Sequence, residues 1–371
     1  MGLKRMNGMN GFKELNGLKK RALLSLTLLV AAAPLAACGS NASTTGAAAD
    51  TQGASADASK PASVEITNVS YDPTRELYEA YNKIFQTHWK EKSGQDVTIV
   101  QSHGGSGKQA RSVLEGNEAD VVTLALEQDV AELEKGGLIE PGWVDEFDKQ
   151  SSPYTSTIVF LVRKGNPKGI KDWDDIVKPG VEVITPNPKT SGGARWNFLA
   201  AWAYAQEHDG SDEAKSTEFI KNLYNNVTVL DTGARGATTT FVENKQGDVL
   251  LAWENEAFLS IKEHPDDYEI VTPSISILAQ PSVAVVDEIA KKRGTEEVSK
   301  EYLQYLYSDE AQKLAGDNYY RPSNPDILSQ FSDTFDLDLK LVNIDDDFGG
   351  WEAATEKFFA DSAIFDQIYQ K

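Results

Sequence analysis

The chain has 371 residues, with 36 lysines and arginines against 57 aspartates and glutamates, and a single cysteine. A formal charge of −21 excludes the basic footprint of a nucleic-acid binder and the polybasic face of a membrane-surface protein. One cysteine excludes an intrachain disulfide framework and a multi-thiolate metal centre, and the length sets a prior of two domains at about 150 residues each.

The chain opens with Lys4, Arg5, Lys13, Lys19, Lys20 and Arg21, opposed only by Glu14. An apolar run from Ala22 to Ala33 follows and ends in Pro34-Leu35-Ala36-Ala37-Cys38-Gly39. A basic start, a short apolar core and small residues before a cut describe an export signal over residues 1–37, and the run is too short for a membrane span. Leu-Ala-Ala-Cys resembles the bacterial lipobox, which implies cleavage before Cys38 and a lipid on that cysteine. The exported part is then still more acidic than the whole chain.

Residues 38–63 are built mostly from Gly, Ala, Ser, Thr, Asp and Asn, which cannot bury a core, so they read as a flexible tether. Its root-mean-square reach is roughly 25–30 Å. From Val64 onward, short β-branched runs alternate with amphipathic stretches. The pattern predicts strands at 64–69, 97–101, 121–124, 157–163, 181–185, 227–230, 249–253 and 281–286. Leu77, Tyr78, Tyr81, Ile84, Phe85 and Trp89 lie at helical spacing, as do Trp196, Leu199, Ala200, Ala203 and Tyr204. Such alternation predicts an α/β protein built on parallel sheets.

In open α/β sheets, ligands bind beyond the carboxyl ends of strands, at helix starts. The junctions here are Ser70-Tyr71-Asp72-Pro73, His103-Gly104-Gly105-Ser106-Gly107, Thr190-Ser191-Gly192-Gly193-Ala194, Thr232-Gly233-Ala234-Arg235 and Trp253-Glu254-Asn255. Asp72 reads as an N-cap with Pro73 in the first turn. Small residues let backbone approach a ligand, and helix starts offer free N–H groups at a positive dipole end. Several such loops converging on one cleft make an anion site.

Competing chemistry does not fit. Gly104-Gly105-Ser106-Gly107-Lys108 has Ser102 where a phosphate loop needs its first glycine, and Gln109 where Ser or Thr must hold magnesium. There is no Gly-x-Ser-x-Gly elbow. His88, His103, His208 and His264 show no metal spacing; His88 and His264 read as surface residues, while His103 is open between the cleft and the surface. Asp345-Asp346-Asp347 lacks the glycine and final glutamate of a calcium loop and reads as solvated charge. No metal and no cofactor is expected, and neither is an enzyme.

At these loops the chain resembles the sulfate-binding proteins, the extracytoplasmic substrate receptors of sulfate/thiosulfate ABC importers. The residues that carry the likeness are Asn68 to Glu76, Gln101 to Gln109, Pro153 to Arg163, Ile184 to Lys189, Ser191 to Asn197, Gly233 to Gly236, Ala252 to Ala257 and Phe348 to Trp351. The resemblance implies a type II periplasmic-binding-protein fold, two α/β lobes around a ligand cleft joined by hinge strands. Residues 64–153 with about 281–371 would make lobe one and a C-terminal segment, and residues 154–280 lobe two. It implies that sulfate is held by neutral donors: the backbone N–H groups of Asp72, Ser106, Gly192, Gly193 and Ala234, the Ser191 hydroxyl and the Trp253 indole N–H. Arg195 and Arg235 are expected to pair with Asp or Glu behind the site. The implied partners are sulfate, with thiosulfate as the alternative, an ABC permease, and the membrane through the lipid on Cys38, with the protein itself a monomer. An exported sulfate or phosphate ester hydrolase is the alternative from another class; it would need a nucleophile beside a base or a metal centre.

A donor-only site selects against protonated anions. Hydrogen phosphate carries an O–H that needs an acceptor, and an unpaired buried group costs about 1–3 kcal/mol. If the Asp72 carboxylate is spent as an N-cap, no acceptor remains in the cleft.

Overall fold

The computed structural model describes residues 63–369. The export signal, Cys38 and the tether up to residue 62 lie outside the described residues. Among the described residues no helix is long and apolar enough to cross a membrane.

The first sheet takes its strands in the spatial order Asp96–Gly104, Ser63–Tyr71, Val121–Leu124 and Ser282–Val285. The first three are parallel and the last is antiparallel. The reason for this layering is legible in the first strand. Ile66 packs with Tyr78, Tyr81, Phe85 and Trp89 on one face, while Val69 packs with Ala110, Val113 and Leu133 on the other. Alternate residues of a strand face opposite ways, so both faces are apolar and both carry helices.

The second sheet has the order Val227–Asp231, Val183–Pro186, Val249–Trp253, Ile158–Arg163 and Tyr268–Val271. The first three are again parallel, and Ile158–Arg163 runs antiparallel to both of its neighbours. Ile158, Phe160 and Val162 join the core under the helix Gly192–His208. Val159 and Leu161 face Phe241 and Val242 of the helix Ala234–Val242.

The two lobes share a plan: in each, an antiparallel strand is supplied by the segment that has just crossed from the other lobe. The crossings run side by side. Ser156 and Ala279 exchange both backbone hydrogen bonds at 2.9 Å, and Tyr154–Thr155 pairs with Arg321–Pro322. A buried bidentate ion pair fastens this junction, Arg321 donating to Glu254 at 2.7 and 2.8 Å.

The C-terminal stretch divides between the lobes. Val298, Tyr302, Leu306 and Ala311 pack on the first sheet's core. Trp351, Phe358 and Phe359 instead cover the second lobe, with Trp196 against Trp351 at 4.6 Å and Trp202 against Phe358 at 4.8 Å between ring centroids. The cause lies in the helix Gly192–His208, which is buried on nearly every side from Trp196 to Ala205; an all-apolar helix must be covered all round.

Candidate functional site

The parallel strands of both sheets point their carboxyl ends at one another, and the junctions that follow them meet around a small cavity. It is tight: its volume, counted as the space open to the centre of a water-sized sphere, is about 10 Å³, close to the least that holds one water. Asp72, Ser106, Ser191, Gly193, Ala234 and Trp253 all line it. Gly192, the remaining residue of the expected set, stands just behind the wall. A Cβ on it would lie 2.7 Å from the Cβ of Ala125 and 2.9 Å from Leu126 Cγ.

Each donor comes from a helix start. Ser106, Gly192 and Ala234 open the helices Ser106–Leu114, Gly192–His208 and Ala234–Val242, and first-turn N–H groups have no partner within their own helix. The Ser191 side chain caps its helix by accepting from the Ala194 N–H at 3.3 Å, which leaves the hydroxyl proton free to donate. The Ser106 hydroxyl is spent elsewhere: it donates to buried Asp129 at 2.5 Å and accepts from the Ala125 N–H at 3.0 Å. Ser106 therefore offers the cavity its backbone only. Burial raises the Asp129 carboxyl above its usual range despite Arg195 nearby.

Trp253 is 1% exposed, and its ring tilts at 42° against Tyr71 at 5.2 Å. Its Nε1 is buried without a hydrogen-bond partner. A buried indole N–H normally finds one, and this one belongs to a residue that lines the cavity. It also sits directly beside Gly193.

The lobes are closed on each other. Trp196 Nε1 donates to Ala125 O at 3.0 Å, and Asn255 Nδ2 to Pro73 O at 3.2 Å. Gly105 is wedged between the opposite loops, where a Cβ would fall 2.6 Å from Thr190 O and 2.7 Å from Thr232 O. Arg235 donates to both oxygens of Glu76 across the seam, at 2.9 and 2.8 Å, and to Glu256 of its own lobe at 2.9 Å. Arg235 thus stands behind the site paired with carboxylates, as the sequence suggests.

Three expectations need correction. Asp72 is not an N-cap: it begins the short turn Asp72–Thr74, and its side chain caps no helix start. Its Oδ1 lies 3.5 Å from Arg75 Nη2, and its Oδ2 is pressed against Gly233. Burial raises this carboxyl, and Arg75 pulls the other way. Arg195 has no carboxylate within ion-pair distance among the described residues; its Nε donates to Pro188 O at 3.0 Å, and the guanidinium lies over Phe359 at 5.2 Å. His88 is not a free surface residue, for its Nε2 meets Glu301 at 2.6 Å and its ring stacks on Tyr305. His103, left open by the sequence, sits behind the cavity wall, with Nε2 2.8 Å from Gln101 Oε1, and burial lowers its pKa to about 4.

Sequence reasoning placed Tyr71 and Gly105 in the junctions without giving either a role, and it did not identify Glu76 and Glu256 as the acceptors of Arg235; pairing over such separations carries no local signal. A larger groove of about 640 Å³ lies by Trp202 and Phe358. Trp202 is ten residues along its helix from Gly192, about 15 Å at 1.5 Å per residue, so this groove is remote from the helix starts. Among the described residues no three or more His, Cys, Asp or Glu side chains are grouped to hold a metal ion.

A family model described as bacterial extracellular solute-binding protein matches residues 66–321. A protein of Escherichia coli (strain K12) named sulfate-binding protein is 58% identical over 309 residues, covering 83% of this chain and 94% of the relative. A thiosulfate-binding protein of Pseudomonas aeruginosa is 47% identical over 310 residues, 83% of this chain and 93% of its own. Among solved structures, the sulfate-binding protein SubI from Mycobacterium tuberculosis H37Rv matches with a TM-score of 0.71 and 33% identity, covering 80% of this chain and 99% of that one.

Proposed function

The chain belongs to the bacterial extracellular solute-binding proteins, and from that premise we propose that it captures sulfate in the interlobe cavity and delivers it to an ABC permease. It is a binding protein and not an enzyme, and it works outside the cytoplasm.

The observation that carries the reading is the unpartnered, buried Trp253 Nε1 at a cavity ringed by helix starts. Donors converge there from both lobes, and no lysine or arginine side chain lines it. Such a site suits an anion whose oxygens all accept, and first-turn amides and dipole ends stabilise its charge without a countercharge. Sulfate would be held by the backbone of Asp72, Ser106, Gly192, Gly193 and Ala234, by the Ser191 hydroxyl and by the Trp253 indole. Asp72 and Ser106 belong to the first lobe and the rest to the second, so one anion bridges the lobes and favours the closed state by its differential affinity. The names of the relatives support sulfate and leave thiosulfate as a second ligand of the same site. The lipobox-like Leu35-Ala36-Ala37-Cys38 supports a lipid anchor on Cys38. A charge of −21 supports a self-repelling monomer.

Calorimetric titration with sulfate and with thiosulfate tests the reading, with small-angle scattering alongside. Micromolar or tighter binding, at about −8 kcal/mol or better, is expected together with a smaller radius of gyration. Absence of binding by either anion, or turnover of a chromogenic sulfate ester, would overturn it.

A further inference from the structure

We propose that Lys189 is a positioning residue: its ammonium ties the turn that presents Ser191 to the C-terminal segment, which makes residues 359–366 part of the anion-binding apparatus. This deepens the sulfate reading and rests on it.

The turn is tightly wound. Asn187 N donates to Asp231 O at 2.8 Å, and the N–H groups of Thr190 and Ser191 both turn back on Asn187 O, at 3.0 and 2.9 Å. The Asn187 side chain accepts from the Lys189 N–H at 2.9 Å. The helix Gly192–His208 starts at the next residue, so a shift of the turn is passed on to Ser191, Gly192 and Gly193. Thr190 O is also the atom against which Gly105 of the other lobe is fitted.

Lys189 does not line the cavity. An ammonium has three protons to donate, and here they meet three acceptors of the C-terminal segment: Phe359 O at 2.9 Å, Ala360 O at 3.1 Å and Asp366 at 2.9 Å. Phe359 ends the helical stretch Thr355–Phe359, and a cation suits the carbonyls at a helix end. Asp366 is itself held, accepting from the Ser362 N–H at 2.8 Å. Its neighbour Phe365 is buried edge-on against Tyr224. Arg195 grips the same place from the helix side, with Nε on Pro188 O and the guanidinium over Phe359. Pro188 and Lys189 are therefore clamped between the helix they precede and residues 359–366. Every one of these contacts lies within the second lobe, so the clamp stands whether or not the lobes meet. It sets the second lobe's donors before an anion arrives, and preorganisation of that kind shows as affinity.

Calorimetric titration of the full chain with sulfate tests this, well below each variant's thermal midpoint so that lost stability does not itself weaken binding. Lys189→Met keeps most of the stem and removes the charge, and affinity is expected to fall about tenfold, part of the worth of one charged hydrogen bond. Asp366→Asn should weaken binding about threefold, and adding it to Lys189→Met should cost nothing more, since both act on one contact. In a Ser191→Ala background Lys189→Met should cost less than about threefold, because the hydroxyl it positions is gone. A lysine that only stabilised the fold would cost the same in both backgrounds. Unchanged affinity in Lys189→Met, or an effect undiminished by Ser191→Ala, would overturn the proposal while leaving sulfate binding standing. If Lys189→Met does not fold, Asp366→Asn decides: the threefold loss supports the clamp and unchanged affinity overturns it. A parent protein silent to sulfate would overturn the function and this inference together.

Discussion

The indole nitrogen of Trp253 and the α-carbon of Gly193 stand so close that the second position has no room for a side chain. A donor and a helix start are thereby fitted to each other before any ligand arrives. Trp253→Phe keeps most of the ring packing and removes only the N–H. A hydrogen bond to a charged partner contributes about 1.5–3 kcal/mol, so sulfate affinity should fall roughly 10- to 100-fold in calorimetry. Gly193→Ala should be worse, because its methyl group displaces the indole itself.

Ser191 serves two ends of one problem. Its oxygen caps the helix Gly192–His208, which leaves its proton for the proposed anion. Ser191→Ala should therefore lower stability without ligand by about 1 kcal/mol, the usual worth of an N-cap, and weaken sulfate binding as well. Ser191→Gly should recover most of the stability and none of the affinity. Chemical denaturation beside calorimetry separates the two effects.

Acid should act through His103. Burial lowers its pKa from the ordinary 6.5 to about 4, so the unfolded chain binds its proton first. The stabilisation is whole above about pH 6.5 and is lost as pH falls toward about 4. Glu76 works in the same direction lower down: burial would raise its carboxyl, but Arg235 outweighs this and holds it below its usual range. His103→Gln should flatten the slope of the unfolding midpoint between about pH 6.5 and 4, and an unaltered slope would contradict the assignment.

Phosphate should compete poorly. The Asp72 carboxylate is turned to Arg75 and Gly233, which leaves the O–H of hydrogen phosphate without an evident acceptor. Rejection by about 10⁴ is the order expected of a site built for one hydrogen-bond pattern. Competition against bound sulfate at neutral pH measures it, and displacement at comparable concentrations would place an acceptor in the cavity.

Cys38→Ala should leave the protein in the medium or as an uncut precursor, read by fractionation. Membrane partition equal to the parent's would dismiss the lipid anchor.

Much of the fold was legible in residue patterns because burial leaves a period. The strands around Ile66, Val122, Phe160 and Leu251 read as apolar runs bounded by turn residues, and they fall within about two residues of their observed limits, the usual uncertainty of such boundaries. Tyr268–Val271 was not legible: it is a short edge strand that buries only its tyrosine fully. The junctions could be read because helix starts have a local grammar of small and hydroxyl residues. Side-chain partners could not. Asp72 has the type and place of an N-cap, yet the chain makes a tight turn there and Arg75 lies within reach. Arg195 was expected to meet a carboxylate and meets the Pro188 carbonyl, a choice made by tertiary packing.

The interleaved lobes also order the protein's assembly as it leaves the cell. All five strands of the second sheet lie between Ile158 and Val271, so that lobe has its whole sheet in hand early. The first sheet receives three strands before residue 125 and then waits for Ser282–Val285 to seal the edge at Val121–Leu124. A chain that emerges N-terminus first thus presents an unfinished first lobe and completes it only after the second lobe has emerged. During that interval the apolar edge at Val121–Leu124 lacks the strand that seals it.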